Sequence, residues 1–387
     1  MPWIHEEKCF TEEHIRKRAA ENGFSDPLHV EYFLWDCEIA AQLQTESDDF
    51  VLKGGAAVQL HLPIEKQRGS IDVDIACSAT KEAVDKAILN IHKRIPAIEF
   101  VPYTPKNPKV TLNLLAYDVK TPAFICYRRN QQHYIKVDFL MEDLDLPSEV
   151  VKNVRTFATD VRRIRCYSAP SLIGDKLLAL AKNTLGVQDI DNFPKHLYDV
   201  SQLSEDPLSK TQLMEAIGAI NKLVPLEARY RKIKVTPEAA LSDIIGTLDE
   251  YSTLDLIGEA EAKNSIRDFQ SCYVRESQRK PWFGWCIRAC RVRFLSKIIL
   301  AVVSKQITPD EGSNEYKTAL EIGQKLQKLH GVKIADLNKK VTKVASTPRN
   351  IERAIINKSP ERVFWHVVER KNLTAIRDLI GTETKPT

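Results

Sequence analysis

The sequence predicts an α+β protein, with a small mixed sheet and its helices over residues 1–167 and a large helical region after them. Three observations point there. Runs of period-two alternation cluster between residues 50 and 167. They begin with a helix–turn–strand unit and continue as several strands separated by proline-bearing turns, an order that suits a small mixed sheet better than a doubly wound one. From Ser168 onward the apolar spacing becomes helical and stays so.

Taken in order, residues 11–23 have amphipathic helical spacing. Asp26-Pro27 supplies an N-cap and a first-turn proline for a helix over 27–46, carried by Leu28, Tyr32, Trp35, Ile39 and Leu43. The β-rich run Phe50–Lys53 ends in Gly54-Gly55. A short helical piece, residues 56–62, stops at Pro63, and residues 71–76 alternate like a half-buried strand. Residues 81–95 read as a second amphipathic helix. Residues 97–102, 109–118, 123–129, 133–142 and 161–167 read as strands. Ser168 or Ser171 caps a helix through residues 172–185. Further helices are expected over 209–223, 236–249, 253–272, 283–305, 313–329, 334–344, 348–356, 359–369 and 372–380, with turn signals such as Asp206-Pro207 and Lys280-Pro281 between them. The main boundary falls at 167/168. A softer one near 205 leaves residues 206–387 as a C-terminal helical domain.

Composition narrows the class. At 387 residues the chain holds two domains or one large one, and 43% hydrophobic with 28% charged residues is ordinary for a soluble globular protein. A net charge of +4 on 56 basic and 52 acidic residues neither demands nor excludes nucleic acid. Eight cysteines without a CxxC pair or a His/Cys cluster suit a reducing compartment, not a zinc site or a disulfide frame. The first ten residues lack the apolar core of a signal peptide, and the most apolar run, residues 298–303, is too short to span a bilayer. A cytoplasmic protein without membrane contact is expected.

The chemistry concentrates in residues 51–76. Period two puts Asp72 and Asp74 on one face of their strand, with Cα atoms roughly 7 Å apart. Like charges so placed repel, by roughly 4 kcal/mol at 4 Å for an effective dielectric near 20. A divalent cation turns that repulsion into attraction. Magnesium suits it, since it takes one or two carboxylates, several waters and substrate phosphates. Gly54 and Gly55 let backbone N–H groups approach phosphate oxygens closely. Asp138, in the alternating run Tyr134–Leu140, joins the cluster if its strand neighbours that of Asp72 and Asp74. It would then hold metal or accept the proton of an attacking hydroxyl, and two metal ions would stabilise both oxygens of an in-line displacement. Arg68 and Ser70, just before the strand, can touch phosphate or ribose; loop solvation is the plainer alternative. The pattern is that of a metal–phosphate site for nucleotidyl transfer.

These residues resemble the polymerase-β-like nucleotidyltransferase superfamily, and more narrowly the AbiEii/AbiGii-type nucleotidyltransferase toxins. The matching stretches are Leu52-Lys53-Gly54-Gly55, Arg68-Gly69-Ser70-Ile71-Asp72-Val73-Asp74 and Lys136-Val137-Asp138-Phe139. Asp175-Lys176-Leu177-Leu178 and Leu197-Tyr198-Asp199-Val200 resemble the family's helical motifs. Ala56 stands where the family often has threonine or serine, Asp175 where it often has glutamate, and Lys195-His196 where it often has a basic–acidic pair. The resemblance covers roughly residues 30–205. It implies a nucleotidyltransferase fold, an NTP donor, a tRNA 3′ end as acceptor, two Mg2+ ions, a cognate antitoxin, and a role as the toxin of a toxin–antitoxin or phage-defence system. It also implies that residues 168–205 complete the active-site cleft. Lys176, in an apolar helical stripe with Leu172 and Leu180, is then a phosphate ligand and not a snorkelling structural lysine. Asp199 would orient Lys176 or bind the second substrate; a helix-surface charge is its ordinary alternative.

Between Arg275 and Lys297, seven basic residues interleave with Trp282, Phe283 and Trp285. Such a stretch holds a nucleic-acid backbone while its aromatics stack on bases, or is an amphipathic helix with aromatics in the core. Two rivals to tRNA modification stay open: transfer to a protein or small-molecule hydroxyl, and a catalytically silent module that binds protein or nucleic acid.

Overall fold

The computed structural model describes residues 3–103, 113–125, 134–256, 260–329 and 334–383. Its first elements are α1 (Glu12–Asn22), α2 (Leu28–Glu46), β1 (Phe50–Lys53), α3 (Gly54–Leu60), β2 (Asp72–Cys77), α4 (Lys81–Arg94), β3 (Glu99–Pro102), β4 (Leu114–Lys120), β5 (Tyr134–Leu140), β6 (Ser148–Arg155), β7 (Asp160–Tyr167) and α5 (Ala169–Leu178). Then follow α6 (Phe193–Leu203), α7 (Lys210–Arg231), α8 (Pro237–Tyr251), α9 (Ala260–Tyr273), α10 (Trp282–Val303), α11 (Pro309–Gln327), α12 (Ile334–Val344), α13 (Arg349–Ile355), α14 (Pro360–Val367) and α15 (Arg370–Glu383). The α+β class predicted from the sequence is the class observed.

The seven strands form one mixed sheet in the order β3-β4-β5-β2-β1-β7-β6. β2 sits near its middle, antiparallel to β1 and parallel to β5. The other pairs are antiparallel except β1 with β7. Central strands bury one alternating set: Val73, Ile75, Val137 and Phe139 are all fully buried. α2 packs on β1, β2, β5 and β7. It starts one residue later than expected, at Leu28 with Pro27 as N-cap, and the Asp26 carboxylate accepts from the Leu28 N–H at 2.9 Å. Phe33 stacks on Phe157 at 4.7 Å between ring centroids, and a fully buried phenylalanine contributes about 1.5–3 kcal/mol.

Internal contacts divide the chain into two units, the first comprising residues 1–175, 225–234 and 266–279, the second residues 176–224, 235–265 and 280–387. The division falls inside α5, α7 and α9. In α7 it falls at Pro225, which offers no N–H to the helix ladder. In the second unit α10 is the central helix, packed by α6, α8, α11 and α14. α11 and α14 approach so closely that a Cβ on Gly323 would lie 2.8 Å from Trp365 Nε1. Arg362 is fully buried there and donates to Asp255 at 2.8 Å and to the Ser252 carbonyl at 2.6 Å. Breaking a buried pair strands its partner, so Arg362→Ala is expected to lower stability by about 3–5 kcal/mol, measured by urea unfolding.

Two expected elements differ, and one strand was not expected. The helix expected over 172–185 ends at Leu178. Beyond it the chain turns so tightly that a Cβ on Gly186 would lie 2.6 Å from the Ala179 carbonyl oxygen. β6 was not anticipated. It is an edge strand with no buried residue, broken by Asn153 at φ 55°, so it lacks a clean alternation. The strand expected over 123–129 is absent from residues 123–125 and its remainder lies outside the described residues; of the strand expected over 109–118, residues 109–112 also lie outside them, and β4 is described from Leu114.

Candidate active site

The site is built on one rung of the sheet. Lys53 of β1 is paired in register with Asp74 of β2, and Asp74 with Asp138 of β5. Directly paired residues share a face, so Lys53, Asp74 and Asp138 stand in a row across three strands. On the same face, the next rung sets Asp72 beside Lys136, and Lys136 beside Asp118 of β4. The two alternating aspartates and the third from β5 are thus brought together on one side of the sheet, opposite the buried valines.

The glycine corner closes against them. Gly54 has φ +72°, and a Cβ there would sit 1.9 Å from Asp74 Oδ2 and 2.7 Å from its Cγ. Only glycine lets the backbone lie on that carboxylate. A Cβ on Gly55 would lie 3.1 Å from Ser70 Oγ and 3.2 Å from an Arg68 guanidinium nitrogen. Arg68 is itself held: its side chain donates to the Gly69 carbonyl at 2.6 Å, its backbone N–H donates to Gln59 Oε1 at 2.8 Å, and its guanidinium lies over the Phe269 ring. Gly69 N–H donates to the Tyr273 carbonyl at 2.8 Å, which ties this loop to the C-terminal end of α9 within the first unit.

The charges are coupled. Burial raises the Asp138 carboxyl above its usual range, Lys136 opposes this, and Asp74 reinforces it. Lys136 Nζ lies 3.5 Å from Asp138 Oδ2. Burial works against the Lys136 ammonium, but Asp138 and Asp72 outweigh it and raise its pKa. Lys53 pairs with Asp175 at 3.8 Å; burial disfavours its charge, yet Asp175 and then Asp74 hold its pKa above the ordinary lysine range.

Magnesium fits this donor set in a specific sense. Among the described residues no three His, Cys, Asp or Glu side chains converge as a ready-made cage. Magnesium does not need one, because waters and substrate phosphates fill most of its octahedron. Asp138 Oδ1 is buried without a hydrogen-bond partner, an acceptor with unused capacity on the carboxylate face.

Lys176 and Asp199 belong to the second unit. Lys176 is buried on α5, with Leu172 one turn before it and Leu180 beyond the helix end. Asp199 on α6 is fully buried, which removes the surface-charge reading. Most of the basic–aromatic stretch is spent internally. Arg275 is buried over the Phe24 ring, and Arg288 over Tyr198 and Trp285 at 4.7 and 5.0 Å. Arg291 donates to the Ser201 carbonyl, Arg293 pairs with Asp249, and Lys297 pairs with Glu369. Phe283 is exposed.

Three further residues bear on the rung: Lys53 and Lys136 already stand in the sequence motifs, Lys53 as a lysine expected in solvent or paired with an acid, and only Asp36 was passed over. Lys53 and Lys136 are the cations that partner the aspartates. The third is Asp36 on α2, fully buried, whose carboxyl is pushed well above its usual range by burial and then by Asp72 and Asp74. The signal for Asp36 was present: an acid in the run Phe33-Leu34-Trp35-Asp36-Cys37, on the apolar side of a helix, needs a reason.

A glycine corner resting on one of three carboxylates from neighbouring central strands defines the class, a nucleotidyltransferase. The family model described as "Nucleotidyl transferase AbiEii toxin, Type IV TA system" matches residues 39–269. This is more than half of the sequence, and the chain belongs to that family. No curated protein matches it. Among solved structures it is similar to a candidate nucleotidyltransferase from H. pylori, at 14% identity and TM-score 0.41, over 72% of this chain and 97% of that one. It is also similar to an antigenic nucleotidyltransferase-like protein from Paracoccidioides brasiliensis, at 15% identity and TM-score 0.33, over 53% and 94%. Likeness at this level describes neither substrate nor partner. No helix among the described residues is long and apolar enough to cross a membrane.

Proposed function

We propose that this nucleotidyltransferase moves an NMP from an NTP to the 3′ end of tRNA with magnesium, acting in the cytoplasm as a toxin held in check by a cognate antitoxin. The observation that supports it most is the rung Lys53–Asp74–Asp138, with Gly54 lying against Asp74. Magnesium, when bound, supplies charge neutralisation of the triphosphate and of the attacking oxygen. Asp72, Asp74 and Asp138 hold it. Gly54 and Gly55 admit the triphosphate close to the backbone, with Arg68 and Ser70 beside them. The acceptor hydroxyl attacks the α-phosphorus, the bond from that phosphorus to the bridging oxygen breaks, and pyrophosphate leaves. The hydroxyl proton passes to Asp138, whose Oδ1 has no other partner. On the family resemblance, the motifs of residues 168–205 belong to the cleft, Lys176 assists on the triphosphate, and Asp199 orients it or binds the second substrate. Residues 206–387 form the C-terminal helical domain of this reading.

The test is incubation of the purified protein with each of four labelled NTPs, Mg2+ and total tRNA. Label is expected on RNA with the wild type and not with Asp72→Ala. Label on protein or on a small-molecule hydroxyl would replace the acceptor. No transfer from any NTP, together with no metal-dependent NTP binding, would make the chain a silent binding module.

A further inference from the structure

A small polar cavity lies in the first unit, among the N-terminal segment, α1 and the start of β7, and none of its lining residues belongs to the carboxylate rung. It measures about 140 Å3, the space of four or five waters at about 30 Å3 each. Two imidazoles line it, and each has a buried Nε2 with no hydrogen-bond partner. His5 is 4% exposed and held from its other side: its Nδ1 lies 2.7 Å from Glu38 Oε2. Glu38 also accepts from the Ile4 and His5 backbone N–H groups and from the Gln42 amide. A carboxylate so used only accepts, so His5 Nδ1 carries a hydrogen and Nε2 is left over. His14 on α1 supplies the second ring, and Arg18 follows four residues later. Arg18 Nε donates to the Phe157 carbonyl at 3.2 Å and Nη2 to the Thr156 carbonyl, while Nη1 has no bond among the described residues. Lys8 and Arg162 stand at the rim, with side chains 73% and 70% exposed. Two acids line it as well, both more than half exposed: Glu6 pairs with Lys8 and lies 4.0 Å from Arg162, and Asp160 lies 4.0 Å from Arg18. The buried polar atoms are thus on basic side chains. Cys9 takes the Thr159 hydroxyl at 3.6 Å, and among the described residues no three potential ligands converge on a metal ion.

We propose that this cavity binds a phosphate-sized oxyanion, free or as the phosphate group of a larger molecule, on His5 Nε2, His14 Nε2 and Arg18 Nη1. With its Nδ1 hydrogen given to Glu38, His5 donates from Nε2 only as the imidazolium, and an oxyanion on that side favours this form. Arginine and imidazolium donors make the stronger, charge-assisted kind of bond to such an anion. The space admits one such group and not a whole nucleotide, since pockets for drug-sized ligands run to about 300 Å3 or more. The site shares no residue with the proposed metal site, so it stands or falls independently of it.

The probe is inorganic phosphate, titrated at constant pH and ionic strength into the full-length, metal-free protein with 13C-labelled histidine rings. The NMR signals of the His5 and His14 rings are expected to shift together and to saturate at one midpoint, while that of His92 on α4 stays still. In His14→Leu the midpoint read at His5 is expected to rise about 10-fold or more, because a charged hydrogen bond is lost. If that variant does not fold, Lys8→Glu with Arg162→Glu, which changes exposed side chains alone, carries the same expectation. A second arm replaces phosphate with a short oligoribonucleotide. Shifts with the oligonucleotide alone would keep the site and assign it to a phosphodiester. Rings that neither probe moves, or a His5 midpoint unchanged in the folded variant, would overturn the inference.

Discussion

Asp74→Asn is expected to lower nucleotidyl transfer by about 10³-fold or more, because it removes a charge placed where the reaction needs a cation. Asp74 is the middle of the rung: Lys53 is on one side, Asp138 on the other, and the Gly54 backbone lies against it. Asparagine keeps the volume, so circular dichroism and cooperative thermal unfolding should be preserved. The measurement is label transfer per unit of folded protein. Activity within about 10-fold of wild type would mean that Asp74 holds no catalytic cation.

Gly54→Ala is expected to be as damaging to activity and also to cost stability. At φ +72° an L side chain is strained by about 1–2 kcal/mol, and the added Cβ lands 1.9 Å from Asp74 Oδ2. Asp74 must swing away or the corner must open. The two effects separate in a double mutant. Asp74→Ala removes the two nearest clashing atoms, so Gly54→Ala should cost less stability in that background while activity stays lost. Equal costs in both backgrounds would show that the strain lies in the backbone alone.

Much of this corner was legible because it is local. Two aspartates at period two in an apolar strand announce a shared face, and the glycine pair before them announces a close approach. The pairing of β2 with β5 was only conditional in the sequence, since register between residues 64 positions apart, such as Asp74 and Asp138, is decided by packing. Asp36 escaped notice because its helix reads as core, and what makes it unusual is the missing partner, visible only in three dimensions. β6 escaped because an edge strand buries nothing that sets a period. The helix after Ser168 was drawn too long for a related reason: Leu180 and Leu185 are buried from turns, which keeps the apolar spacing after the helix has ended. The basic–aromatic stretch shows the opposite risk, where residue types that suit RNA are used for packing α10.

The central claim is that carboxylates on one face of the sheet hold divalent metal beside a glycine corner. A crystal of the full-length protein grown with Mn2+ and a non-hydrolysable ATP analogue tests it most directly, read from the Mn anomalous signal. The account predicts that signal among Asp72, Asp74 and Asp138, with the triphosphate along Gly54 and Gly55. A well-ordered nucleotide bound elsewhere, with no manganese on those three side chains, would contradict it.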